Sequence, residues 1–129
     1  MASETPLPTT EYPDDFELET LYVNGEITSS DNFVVYVSDR ETVIDSIAIN
    51  CNVEDAACTA QISTHSTTPA GAGQVDVTAA VGFVARTWTN LSITGSNVVP
   101  ANTFVNAEIA VTIGITDLVV RIRYRTRRK

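Results

Sequence analysis

Six of the eight lysine and arginine residues occupy the last nine positions of the chain: Arg121, Arg123, Arg125, Arg127, Arg128 and Lys129. The first three alternate with apolar residues, so on a strand their guanidinium groups line one face, with neighbours about 6.6 Å apart. Groups so spaced repel one another, and their forked donors match carboxylate and phosphate oxygens. The chemistry open to them is recognition of an anionic partner. Three partners fit: the acidic segment or body of a neighbouring copy, an acidic surface of another protein, and nucleic acid. Nucleic acid is disfavoured, because the net charge is −8 and Tyr124 is the one aromatic residue close to this tail. Protection of an edge strand against stray pairing accounts for the same charges equally well.

The opposite charge collects at the other end. Residues 1–20 hold Glu4, Glu11, Asp14, Asp15, Glu17 and Glu19 and no basic residue, while the stretch between the two ends has only Arg40 and Arg86. Such segregation points to termini that seek partners of opposite sign, although charged ends also serve solubility. The candidate contact residues are therefore Glu11, Asp14, Asp15 and Glu17 on the acidic side. On the basic side they are Arg121, Arg123, Arg125, Arg127 and Arg128.

Catalytic and cofactor chemistry finds no comparable footing. His65 is the single histidine; it sits in a Ser/Thr-rich run (STHSTT) and is expected to be a solvated loop residue. Cys51 and Cys58 match no zinc spacing. If residues 54–57 make a hairpin loop, the two cysteines are diagonal across the hairpin, too far apart to bridge, and both are expected as small core residues. Gly71 and Gly73 precede a strand with no lysine at the offset of a phosphate loop. The acid pairs Asp14–Asp15 and Glu54–Asp55 lack calcium-loop spacing. The expectation is a non-enzyme with no catalytic, cofactor or metal residues. A carbohydrate-binding module would draw on exposed aromatic residues, for which Trp88, Tyr12, Tyr22 and Tyr36 are the candidates.

The elements that must position these residues read as strands throughout. Residues 33–37 are β-formers between polar turns. Residues 43–53 alternate, with Val43, Asp45, Ile47, Ile49, Cys51 and Val53 on one face; Asp45 then sits at the strand rim or pairs with Arg40 or Arg86. Residues 58–64 are expected to return as the second arm of a hairpin. Residues 74–79, 82–88 and 90–94 read as short strands. A closing hairpin joins 107–113, with Ile109, Val111 and Ile113 on one face, to 118–124 through Gly114–Asp117. It turns Leu118, Val120, Ile122 and Tyr124 inward and Arg121 and Arg123 outward. Residues 1–20, with Pro6, Pro8 and Pro13, form an extended arm, and 21–129 a single domain. Eight or so short strands in such a length indicate an all-β, two-sheet antiparallel sandwich, a jelly roll in preference to an immunoglobulin-like fold, since Trp88 follows both cysteines.

The segments VIDSIAIN (43–50) and CTAQIST (58–64), the link NVVPANTFV (97–105) and the closing run IAVTIGITDLVVRIRY (109–124) resemble small jelly-roll virion proteins of tailed bacteriophages, the capsid decoration or cement proteins and related knobs. The likeness is one of pattern over about residues 33–124. It implies a non-enzymatic domain on the outer capsid, often trimeric, with terminal arms clasping neighbours; its partners would be further copies of itself and a major capsid protein. It assigns no role to any individual residue. A connector or tail component of the same particle and a receptor- or carbohydrate-binding knob are the competing functions. No stretch of about 20 apolar residues would span a bilayer, and residues 1–15 lack the basic and apolar segments of a secretory leader. Synthesis in a reducing host cytoplasm and residence in the virion are the corresponding expectations.

Overall fold

The computed structural model describes residues 16–53, 58–67 and 73–126. Ten strands lie among them: β1 (Phe16–Ile27), β2 (Asp31–Val37), β3 (Thr42–Asn50), β4 (Thr59–His65), β5 (Val75–Asp76), β6 (Val81–Gly82), β7 (Thr89–Asn90), β8 (Val98–Val99), β9 (Phe104–Ala110) and β10 (Ile115–Thr126). They build two antiparallel sheets. One runs β1-β10-β3-β7, with β8 also on β3; the other runs β2-β9-β4-β5, with β6 also on β4. The two-residue strands therefore act in pairs, β5 with β6 and β7 with β8, each pair forming one interrupted strand. The result is four effective strands per sheet. Counted by these eight effective strands, the chain changes sheet at every step except from β4 to the β5–β6 strand, which is the connectivity of an eight-stranded jelly roll.

This topology corrects both expected hairpins. β3 and β4 lie in opposite sheets, as do β9 and β10. An alternating strand with one buried face satisfies its apolar pattern in either sheet, and a short polar link spans the roughly 10 Å between sheets as readily as it turns a hairpin. Cys51 and Cys58 are accordingly core residues at the crossing, both buried and both thiols. The Cys58 Sγ donates to the Phe83 carbonyl at 3.3 Å. β9 stops at Ala110, and Ile113, expected on the same strand face as Ile109 and Val111, lies beyond the strand and is 78% exposed.

Further corrections are local. Phe16–Thr20, read as part of the arm, pair in register with Arg125–Arg121. The remainder of the expected arm, the 54–57 link and part of the 65–73 loop lie outside the described residues. In β3, Ile44 faces Tyr124 and Ser46 faces Arg123, so Asp45 is the extra residue of a bulge. The slip turns Asp45 to solvent and lets both Ile44 and Ile47 into the core. His65 ends β4 and is buried, with no hydrogen-bond partner on either ring nitrogen, not solvated in a loop. The expected strands at 74–79, 82–88 and 90–94 reduce to two-residue ladders and a Thr78–Ile93 bridge.

The core lies between the sheets. Leu118, Val120 and Ile122 of β10 are fully enclosed, packed among Ile44, Ile47, Ile49, Ile62, Val105 and Ile109. At one end the two sheets are tied by aromatic stacking: the Tyr36 and Tyr124 rings lie 4.3 Å apart and 5° from parallel. The Tyr36 hydroxyl shares a 2.9 Å hydrogen bond with Thr42 Oγ1. Tyr124 donates to Glu19 at 3.2 Å and, at the limit of hydrogen-bonding distance, to Glu17. Burial pushes the Tyr36 hydroxyl from 10.0 up to about 12. Tyr124 is raised too, by burial first and then by the charges of Glu17 and Glu19.

Two outcomes follow. Leu118→Ala should lower the unfolding free energy by about 2–5 kcal/mol in urea titrations, whereas Ile113→Ala should change it by less than about 0.5 kcal/mol. Because both tyrosines hold their protons more tightly folded than unfolded, the stability they contribute is intact below pH 10 and is lost as pH rises from there through about 12. Urea midpoints measured at successive alkaline pH values should fall over that window, and less steeply in Tyr36→Phe.

Candidate functional site

Side-chain alternation on β10 builds the site. With Leu118, Val120, Ile122 and Tyr124 committed to the core, Arg121, Arg123 and Arg125 must leave the opposite face of the sheet. On one side they are flanked by Thr20, Leu18 and Phe16 of β1, and on the other by Ala48, Ser46 and Val43 of β3. The long basic side chains thus rise between an apolar margin and a floor of small residues.

Two of the guanidinium groups are held by aromatic rings. The Arg121 Cζ lies 4.1 Å from the centroid of Trp88, and the Arg123 Cζ lies 4.4 Å from that of Phe16. Trp88 adjoins β7 beyond β3, while Phe16 is on β1, so the two arginines splay to opposite sides. The separation relieves their mutual repulsion and opens a groove of about 470 Å³ lined by Phe16, Glu17, Leu18, Ser46, Ile47, Ala48, Asn90, Arg121 and Arg123. Both guanidinium groups lie over a ring at cation–π distance. Each such contact contributes about 0.5–1 kcal/mol at an exposed position. Among the described residues no carboxylate is bonded to Arg121, Arg123 or Arg125.

Trp88 is also a wall of a second, smaller cleft of about 250 Å³, shared with Tyr22, Asn50, Arg86 and Asp117. Its frame is fixed by backbone capture. Asn50 Oδ1 accepts from the Thr87 and Cys51 amides at 3.0 and 2.8 Å, holding the Trp88 loop against β3. Asp117 Oδ1 accepts from the Gly25 amide at 2.9 Å, across the β1 irregularity between Val23 and Glu26. Arg86 and Asp117 both take left-handed backbone angles, φ 56° and 54°, a conformation that costs about 1 kcal/mol or more outside glycine.

The structure therefore brings Arg121, Arg123 and Arg125 together on one face. It places Glu17 on the other face of β1, beside the Tyr124 hydroxyl. Glu11, Asp14, Asp15, Arg127 and Arg128 lie outside the described residues. Of the aromatic candidates, Trp88 and Tyr22 are 45% and 57% exposed beside the arginines, Tyr36 is in the core, and Tyr12 is outside the described residues. Phe16 and Leu18 were not anticipated as site residues. The alternation Phe16, Leu18, Thr20, Tyr22 against Leu21 and Val23 was the signal for them, obscured by the acids and prolines just before it.

An eight-stranded jelly roll with a basic, aromatic outer face is the class that fold and surface define. No protein-family model matches the sequence, and no curated protein matches it. Among solved structures the chain is similar to one in the capsid asymmetric unit of cyanophage Pam1, with 13% identity and a TM-score of 0.54 over 97% of this chain and 94% of that one. More distant likenesses occur in structures of infectious bursal disease virus strains Gx and Gt. These have 11% and 9% identity and TM-scores of 0.42 and 0.43, over 98% and 100% of this chain but 36% and 43% of those chains. The Pam1 likeness shows a shared fold, the sandwich expected from the sequence.

Trp88 is the sole tryptophan, which makes the stack directly measurable. Arg121→Ala should uncover the indole face and increase quenching of its fluorescence by acrylamide. Far-ultraviolet circular dichroism should be unchanged, since the side chain lies outside the core.

Proposed function

We propose that this chain is a structural component of a virus particle, decorating or cementing the outer surface of a bacteriophage capsid through terminal-arm and sheet-edge contacts. The observation that carries the reading is the near end-to-end correspondence with a chain of the Pam1 capsid asymmetric unit, covering 97% of one and 94% of the other. The basic, aromatic outer face and the open edge strands supply contact surface of the kind an assembly subunit needs. The role is one of binding and support, with no reaction attached.

A second reading, a carbohydrate-binding knob, is favoured by the Tyr22–Trp88 cleft. Its aromatic walls stand beside Asn50, Arg86 and Asp117, and the two charges there are balanced. A glycan screen with the intact chain and with Trp88→Ala separates it from the first: Trp88-dependent binding of a sugar by a chain absent from particles would replace the capsid role.

For the capsid reading, purified particles of the encoding virus should contain the chain in many copies by quantitative mass spectrometry, and particle imaging should place it on the outer shell. Its absence from particles would overturn the proposal. Removal of residues 1–15, which leaves β1 whole, should weaken retention of the chain on particles in co-sedimentation. A cut at residue 20 is the poorer test, because it also removes the Phe16–Thr20 ladder to β10.

A further inference from the structure

Two surfaces of the sandwich are complementary and meet at an angle. The first is the outer face of β1, β10 and β3. Four of the five described arginines, Arg86, Arg121, Arg123 and Arg125, lie on or beside it, with Trp88 and Phe16 each stacked against one of them. Tryptophan and arginine are the residue types most enriched at the energetic centres of protein contacts. Rings that already hold the guanidinium groups reduce the side-chain freedom to be lost on binding. The second surface is the rim formed by β1 and β2. Each is the terminal strand of its sheet, and among the described residues neither is paired on its outer side. Along that rim Glu26, Asp31 and Asp39 are exposed, with Arg40 as the one described base. An open edge of this length offers unpaired backbone groups that another chain can cover.

We infer that the arginine–aromatic face of one copy receives the acidic β1–β2 rim of a second copy of this chain. Charge complementarity selects that occupant. The chain's net charge is −8, yet four of its five described arginines lie on or beside one face, and no described carboxylate is bonded to Arg121, Arg123 or Arg125, so the acidic surface of a second copy is the complement of that face. The same charges forbid the face from docking on itself about a two-fold axis, because guanidinium would meet guanidinium. The contact is consequently heterologous, the same patch-on-rim joint repeating from copy to copy. Such a joint closes into a ring or continues as an open chain according to the rotation between successive copies. This inference deepens the proposed capsid role by naming the partner of the face, but it is tested without particles.

The test is sedimentation of the full chain and two charge-reversed variants, each confirmed as folded by an unchanged thermal midpoint. The native chain should self-associate, with a dissociation constant that rises at least tenfold from low to high salt. The face variant R121E/R123E/R125E and the rim variant E26R/D31R/D39R should each be monomeric at concentrations where the native chain is assembled. Mixing them should restore assembly, since each retains the native surface that the other has lost. A monomeric native chain would overturn the inference, as would assembly that survives the face reversal. So would variants whose mixture stays monomeric, the result expected if the face binds an unrelated acidic protein. A monomer found on particles would leave the capsid role standing and remove this one; an oligomer absent from particles would do the reverse.

Discussion

Burial of the inner side of β10 is the constraint from which the rest of the molecule follows. β10 has long ladders on both flanks, to β1 and to β3, and Leu118, Val120 and Ile122 have no exposed surface. Complete burial of three such side chains contributes several kcal/mol, and the cost of turning them outward fixes the strand's facing. With a side-chain period of two, that choice leaves Arg121, Arg123 and Arg125 no alternative to the outer face. The basic strip is therefore as firmly placed as the core itself.

Fixing the Cα positions of the arginines does not fix their guanidinium groups. That is done from the flanks, by Phe16 on β1 and by Trp88 on a loop tied to Asn50. The two clamps come from chain segments far apart in sequence and draw Arg121 and Arg123 in opposite directions over small neighbours, Ala48 and Ser46. Bulkier residues at those two positions would fill the groove. On the inner side of the same strand, Tyr124 continues the alternation and stacks on Tyr36, so β10 serves the core, the sheet-to-sheet tie and the outer surface at once.

The strand content and the facing of β10 were legible in the sequence because they rest on local alternation. Leu118 through Tyr124 shows an unbroken period, and each residue lies where that period puts it. Strand pairing was not legible in the same way. The stretches 43–53 and 58–64 carry the same pattern whether joined in one sheet or divided between two, and only the whole set of apolar faces decides. The bulge at Asp45 shifted the phase by one residue, so Ile44 and Ile47 both reach the core although they are three positions apart. His65 was read as a loop residue from its Ser/Thr neighbours, although β4 carries the burial pattern through Ser63 and Thr64 to His65 itself. In the site, the arginines were evident from their spacing; their aromatic clamps were not, since Phe16 and Trp88 meet Arg123 and Arg121 only after the sheet has formed.

The ladder between β1 and β10 joins residues about 100 positions apart, Phe16 with Arg125 at one end. No shorter loop brings β1 a partner, because β2 belongs to the other sheet. On the ribosome the first strand must wait unpaired until the last has been made, and the entropic cost of closing so long a loop falls before any of its contacts are gained. A slow, late and cooperative folding step is the kinetic price of this winding. Once that step is complete, the first and last described strands lock each other, and neither can fray without opening the ladder that joins them.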